Sequence, residues 1–136
     1  MSEQRVRVRA MMVFSNHRLG PAVELMVSGP VATTMLRQTA AAASTAASSR
    51  WEHELVRWLE DRASRVDDAT GVTDVSEIAW SPEYFDRQRH FVLDAIARAA
   101  GGSSHSRVLL RWAQLIAAHP RDSVQFGRRW VWQPSV

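Results

Sequence analysis

Histidine is the residue that most often does acid–base or metal chemistry near neutral pH. This chain has five, at positions 17, 53, 90, 105 and 119. No two of them stand three or four apart, the spacing that sets two imidazoles on one helical face for a zinc ion. The stretch Trp51-Glu52-His53-Glu54 sets carboxylates beside an imidazole, yet it lacks the second histidine that a zinc peptidase helix requires. Carboxylates gather again at Asp67, Asp68, Asp74 and Glu77. A calcium loop of the EF-hand kind needs oxygen ligands at its first, third and fifth positions and glycine at the sixth. Counted from Asp67, the third and fifth are Ala69 and Gly71, and counted from Asp68 they are Thr70 and Val72, so the pattern fails in both registers. These four acids read as a solvated polar loop, and as an acidic face suited to a basic partner.

Nucleophilic catalysis has no sequence support. The chain has no cysteine and no Gly-x-Ser-x-Gly elbow. Ser103, Ser104 and His105 are adjacent, but a base must face its nucleophile and be oriented by a third group, which adjacency does not supply. These serines read as caps of the helix that follows. Gly101-Gly102-Ser103-Ser104 with Arg107 opens a helix whose free amides could hold an anion. The phosphate-loop and dinucleotide glycine patterns are both missing, which leaves a helix–helix connector. The paired carboxylates Glu52/Glu54, Glu60/Asp61 and Asp67/Asp68 lie in charged stretches, whereas a general acid needs burial to raise its pKa. No residue is given a catalytic role, and no cofactor or metal is expected.

Arginine carries the other signal. All 17 basic residues are arginine, against 14 acids, for a net charge of +3. Arg5, Arg7 and Arg9 alternate with Val6, Val8 and Ala10, and Arg128 and Arg129 lie near the other end. Were the two segments to share a sheet, these five would form one basic surface, suited to phosphates or to an acidic protein. The plainer reading is that outward charges keep a sheet edge from pairing with other chains. Residues 51–95 carry eleven acids and five arginines, so two basic ends flank an acidic middle.

The elements that would position these groups follow from periodicity. Residues 5–14 alternate with period two, 15–21 are rich in turn formers, and 22–28 alternate again, which predicts a hairpin over 5–28. Pro30 opens a helix after Ser28 that continues through 31–42. Residues 39–49 are almost wholly Ala, Ser and Thr, compatible with more helix or with a link. Trp51, Leu55, Trp58, Leu59 and Ala63 mark a helix over 50–66. A third helix spans 82–100, with Ser81 as cap, Pro82 first, and Tyr84, Phe85, Phe91, Val92, Ala95, Ile96 and Ala99 on its apolar face. Gly101-Gly102 stops it. A fourth spans 105–118, and residues 123–132 alternate as a strand, with a bulge at Gly127 needed to keep Arg128 off the buried face.

The expected fold is therefore α+β: an N-terminal β-hairpin plus a C-terminal strand in a small antiparallel sheet, packed against three or four helices, all one domain over 1–136. With 46% apolar residues the chain can fill a core without metal or disulfide staples. Charges occupy the place of a signal peptide's apolar stretch, and no apolar run approaches the ~20 residues a bilayer demands, so a cytoplasmic location with no membrane role is expected. Three functions remain. The first is a protein-interaction module, of which a small bacterial immunity, antitoxin or accessory protein is one concrete form, working through a protein partner or self-association. The second is nucleic-acid binding by the arginine face. The third is an enzyme whose site joins scattered histidines and arginines. The six tryptophans read mostly as core, and any that proves exposed is a candidate interface anchor.

Overall fold

The computed structural model describes residues 11–16, 22–68, 72–74 and 83–118. The alanine-, serine- and threonine-rich stretch that the sequence leaves open is helix. It completes α1 (Gly29–Ala46), which starts at the Pro30 turn after Ser28 and buries Ala32, Thr33, Met35, Leu36, Thr39, Ala40 and Ala43. Their spacing of three and four traces one face. Alanine loses no side-chain entropy in a helix and lets neighbours approach closely, so a run that looks featureless in sequence becomes a packing surface. Helix α2 (Arg50–Asp68) follows after three residues and runs back along α1, burying Leu55, Val56, Leu59, Ala63 and Val66.

Helix α3 (Phe85–Gly101) packs on the same α1, and α4 (Ser106–Ala118) packs on α3. Phe85, Gln88, Phe91, Val92, Ala95, Ile96 and Ala100 from α3 meet Leu109, Trp112, Leu115 and Ile116 from α4 in one core. Burying a Leu, Ile or Phe side chain is worth about 1.5–3 kcal/mol. Trp112 is fully buried, whereas Trp51 and Trp58 are half-buried against the core. Trp80, Trp130 and Trp132 lie outside the described residues.

This overturns the expected α+β class. The described residues are mostly helical, and the four helices bury a common apolar core. Strand pairing is confined to a short margin. Strands β1 (Met11–Asn16) and β2 (Ala22–Ser28) pair antiparallel with an irregularity between Phe14 and Ser15. The three-residue β3 (Val72–Asp74) lies parallel to β1, in the order β2-β1-β3. The small antiparallel sheet completed by a C-terminal strand is thus not the frame of the fold. Residues 5–10 and the predicted strand 123–132 lie outside the described residues. The physical reason is that four helices with wide apolar faces cover one another, α2 and α3 packing on α1 and α4 on α3.

Side-chain contacts lock this arrangement. Arg98 on α3 reaches the last turns of α1, where its Nη1 donates to Ala42 O at 3.0 Å and to Thr45 Oγ1 at 3.2 Å. The last turn of α1 holds no basic residue of its own, so a neighbouring helix supplies the cation that its carbonyl end favours. Ser103 Oγ bonds Gln38 Oε1 at 2.7 Å, tying the α3–α4 connector to α1. Asp61–Arg65 and Asp94–Arg98 form ion pairs one helical turn apart at 2.7 and 3.1 Å. Helix α3 starts three residues later than the periodicity suggested, with Tyr84 at the cap position and Gln88 N–H donating to Tyr84 O at 2.8 Å. Among the described residues no helix is long and apolar enough to cross a membrane.

Two substitutions check the packing. Gly101 and Gly102 end α3 without a left-handed backbone, and a Cβ at either would meet nothing within 4 Å. Gly101→Ala should therefore stabilise by about 0.5–1 kcal/mol in urea unfolding, through lower unfolded-chain entropy. The Thr39 hydroxyl is fully buried and finds no hydrogen-bond partner among the described residues. Thr39→Val should stabilise by about 1 kcal/mol, and a loss of similar size would show that the hydroxyl is satisfied.

Candidate functional site

The start of α2 is fixed by a reciprocal cap. Ser49 Oγ accepts from Glu52 N–H at 3.4 Å, and Glu52 Oε1 accepts from the amides of Ser49 at 2.9 Å and Ser48 at 2.7 Å and from Ser48 Oγ at 3.1 Å. This is a capping box, with serine and glutamate three apart. The Ser49 amide, then the Ser48 amide, holds the Glu52 carboxyl below its ordinary pKa, because both bonds favour the charged form. The cap also fixes the direction of Trp51, the second residue of the helix.

Trp51 meets α3 at its beginning. Its ring lies nearly parallel to Tyr84, 14° between planes and 6.1 Å between centroids. The Phe91 ring stands nearly perpendicular to it, at 78° and 5.7 Å between centroids. Offset-stacked and edge-to-face pairs are the favoured aromatic geometries. On α3, Asp86, His90 and Asp94 recur every four residues, with Arg87 and Phe91 one position on. These five, with Trp51 and Glu52, line an open groove of about 430 Å³. Trp51 and Phe91 are its floor, and Glu52, Asp86 and Asp94 are three carboxylates at its rim against the one guanidinium of Arg87.

The groove gathers one histidine, His90, beside Arg87. His53 is exposed on α2, His105 lies in the α3–α4 connector, and His17 and His119 fall outside the described residues. A line of residues every four positions does not converge on a point, and among the described residues no group of three or more His, Cys, Asp or Glu could hold a metal. Asp86 and Asp94 are exposed, without the burial that makes a carboxyl a general acid near neutrality. Ser103 accepts from His105 N–H at 2.9 Å while bonding Gln38, so it acts as a local cap and tie in the connector. What the arrangement offers chemically is an apolar, π-rich surface with negative charge around it.

None of the arginines and acids singled out from sequence for binding is among the residues that line the groove. Arg5, Arg7, Arg9, Arg128, Arg129 and Glu77 lie outside the described residues. Asp67 and Asp68 are the last two residues of α2, which continues past Val66, and Asp74 pairs with Val13 in β3. Of these acids, the described Asp67 and Asp68 thus stand at a helix end and Asp74 in a strand. The groove residues were passed over because Trp51 and Phe91 fall on core stripes. The legible signals were Ser49-x-x-Glu52 and the four-residue spacing of Asp86, His90 and Asp94. No protein-family model matches the chain, and neither a curated protein nor a solved structure matches it.

The cap gives a pH test. Because the folded pKa of Glu52 is lowered, its charge contributes stability that is present above the unfolded value near 4.5 and is lost as pH falls through the folded value. Glu52→Gln should cost about 0.3–1 kcal/mol at pH 7, the worth of a charge at a helix start. The difference from wild type should shrink as pH falls below 4.5 and close once it passes the lowered folded value in parallel denaturation curves. A constant difference across that range would show that the charge contributes nothing to the cap.

Proposed function

We propose that this chain is a non-enzymatic protein-interaction module that binds its partner at the groove between α2 and α3. The observation that supports this reading is the half-buried Trp51, held on the groove floor with Phe91 and ringed by charged side chains. Tryptophan in a partly desolvated recess is the commonest energetic anchor of a protein interface. A small immunity, antitoxin or accessory protein of a bacterium fits this description, since such proteins act by covering a surface and need no chemistry of their own. The carboxylates at the rim would repel a phosphate backbone here, which favours protein over nucleic acid at this face.

Affinity capture from a native lysate, with and without nuclease, tests the reading. A stoichiometric protein should be retained after nuclease treatment. Hydrogen exchange on the purified complex should then slow in residues 50–54 and 84–94. Recovery of nucleic acid, with every partner lost on digestion, would overturn the reading, as would a complex whose protection falls wholly elsewhere.

A further inference from the structure

The outer face of α4 is cationic and lies apart from the groove. Arg107, Leu110, Arg111 and Gln114 recur at spacings of three and four and are all exposed, while Leu109, Trp112, Leu115 and Ile116 face the core. Leu110 stands 47% exposed beside the two arginines, an apolar side chain left in water. Helix α4 contains no carboxylate, and none occurs in the chain between Asp94 and Asp122. None of the residues that line the groove belongs to α4.

These two arginines are not compensated as others are. Arg50, Arg65 and Arg98 each pair with an acid one helical turn away, at 3.5, 2.7 and 3.1 Å. Arg57 and Arg87 make no ion pair with the described residues, yet exposed acids stand near them in sequence, Glu60 and Asp61 for one and Asp86 for the other. Arg37 stands singly on α1. Arg107 and Arg111 have neither a partner among the described residues nor an acid on their own helix. Like charges one turn apart repel, a cost that an anion from outside removes.

We propose that α4 is a second binding surface, one that lays Arg107, Leu110, Arg111 and Gln114 in the major groove of double-stranded DNA. That groove, about 12 Å wide, admits an α-helix. Arginine pairs with phosphates and with guanine edges, glutamine with adenine, and an apolar side chain with the thymine methyl. Residues 102–105 join α3 to α4 through a short turn that holds Gly102, and Arg107 is the second residue of α4. A short glycine-containing turn is what precedes the groove-reading helix of helix-turn-helix proteins, whose first residues meet the bases. An acidic protein segment would satisfy the two arginines equally. Gln114 beside them favours DNA, because its paired donor and acceptor match a base edge and not a carboxylate.

The test is fluorescence anisotropy of a labelled random-sequence DNA duplex titrated with the full chain over a range of about 50 to 200 mM salt. Affinity should fall as salt rises. Arg107→Ala and Arg111→Ala should each weaken binding about three- to tenfold and reduce the salt slope by about one. Gln114→Ala and Arg65→Ala should leave that slope as it is, the first because it removes no charge and the second because it lies on α2. All four side chains are exposed, so each variant should keep the wild-type circular dichroism spectrum. No binding at the lowest salt, a slope indifferent to Arg107 and Arg111, equal binding of a single strand, or equal displacement of the duplex by a hexa-glutamate peptide would overturn the proposal. Each of these results leaves the groove at Trp51 untouched, since no α4 residue lines it.

Discussion

One face of one helix sets the geometry of this protein. Ala32, Met35, Leu36, Thr39, Ala40 and Ala43 form the surface of α1 on which α2 and α3 both rest. Its small residues let the neighbouring backbones come close, and close packing in a protein interior leaves few alternative arrangements. Arg98 and Ser103 then fasten α3 and its connector to α1 by hydrogen bonds to Ala42, Thr45 and Gln38. A change in the volume of the α1 face would be felt by both partner helices at once.

The groove is a consequence of that packing. Two helices resting on a common third are separated where they leave it, and here the start of α2 stands beside the start of α3. The Ser49–Glu52 cap fixes the first turn of α2, so Trp51 is delivered to a defined place against Tyr84 and Phe91. Tyr84 belongs to this picture because α3 begins only at Phe85, which leaves the tyrosine in the preceding turn, exposed on one side and on Trp51 on the other. The helix cap and the groove thus share residues. Glu52 is both a cap and a wall of the groove, and Asp94 both lines the groove and orients the arginine that closes α1.

The amphipathic helices were legible in sequence where large apolar residues recur at helical spacing, as in Leu55, Leu59 and Ala63 or Leu109, Trp112 and Leu115. Composition alone could not decide the Ala/Ser/Thr stretch, because alanine favours helix while serine and threonine compete for the backbone. Burial of Thr39, Ala40 and Ala43 against other helices decides it. The α+β expectation failed because short alternating segments were given the role of a frame that α1 fills. The parallel pairing of β3 with β1 is a contact between distant parts of the chain that no local pattern encodes. The groove was missed for a related reason. Trp51 and Phe91 repeat like core residues, and only the contact of their rings across two helices shows that they meet beside the groove.

The placement of Trp51 is therefore the claim on which the account turns. Its most direct test is a set of nuclear Overhauser contacts from the assigned Trp51 indole protons. The account predicts contacts to the rings of both Tyr84 and Phe91, whose centroids stand 6.1 and 5.7 Å from that of Trp51. A Trp51 ring with contacts to α1 and α2 alone would contradict it, for α2 would then not begin beside α3 and the groove would not exist.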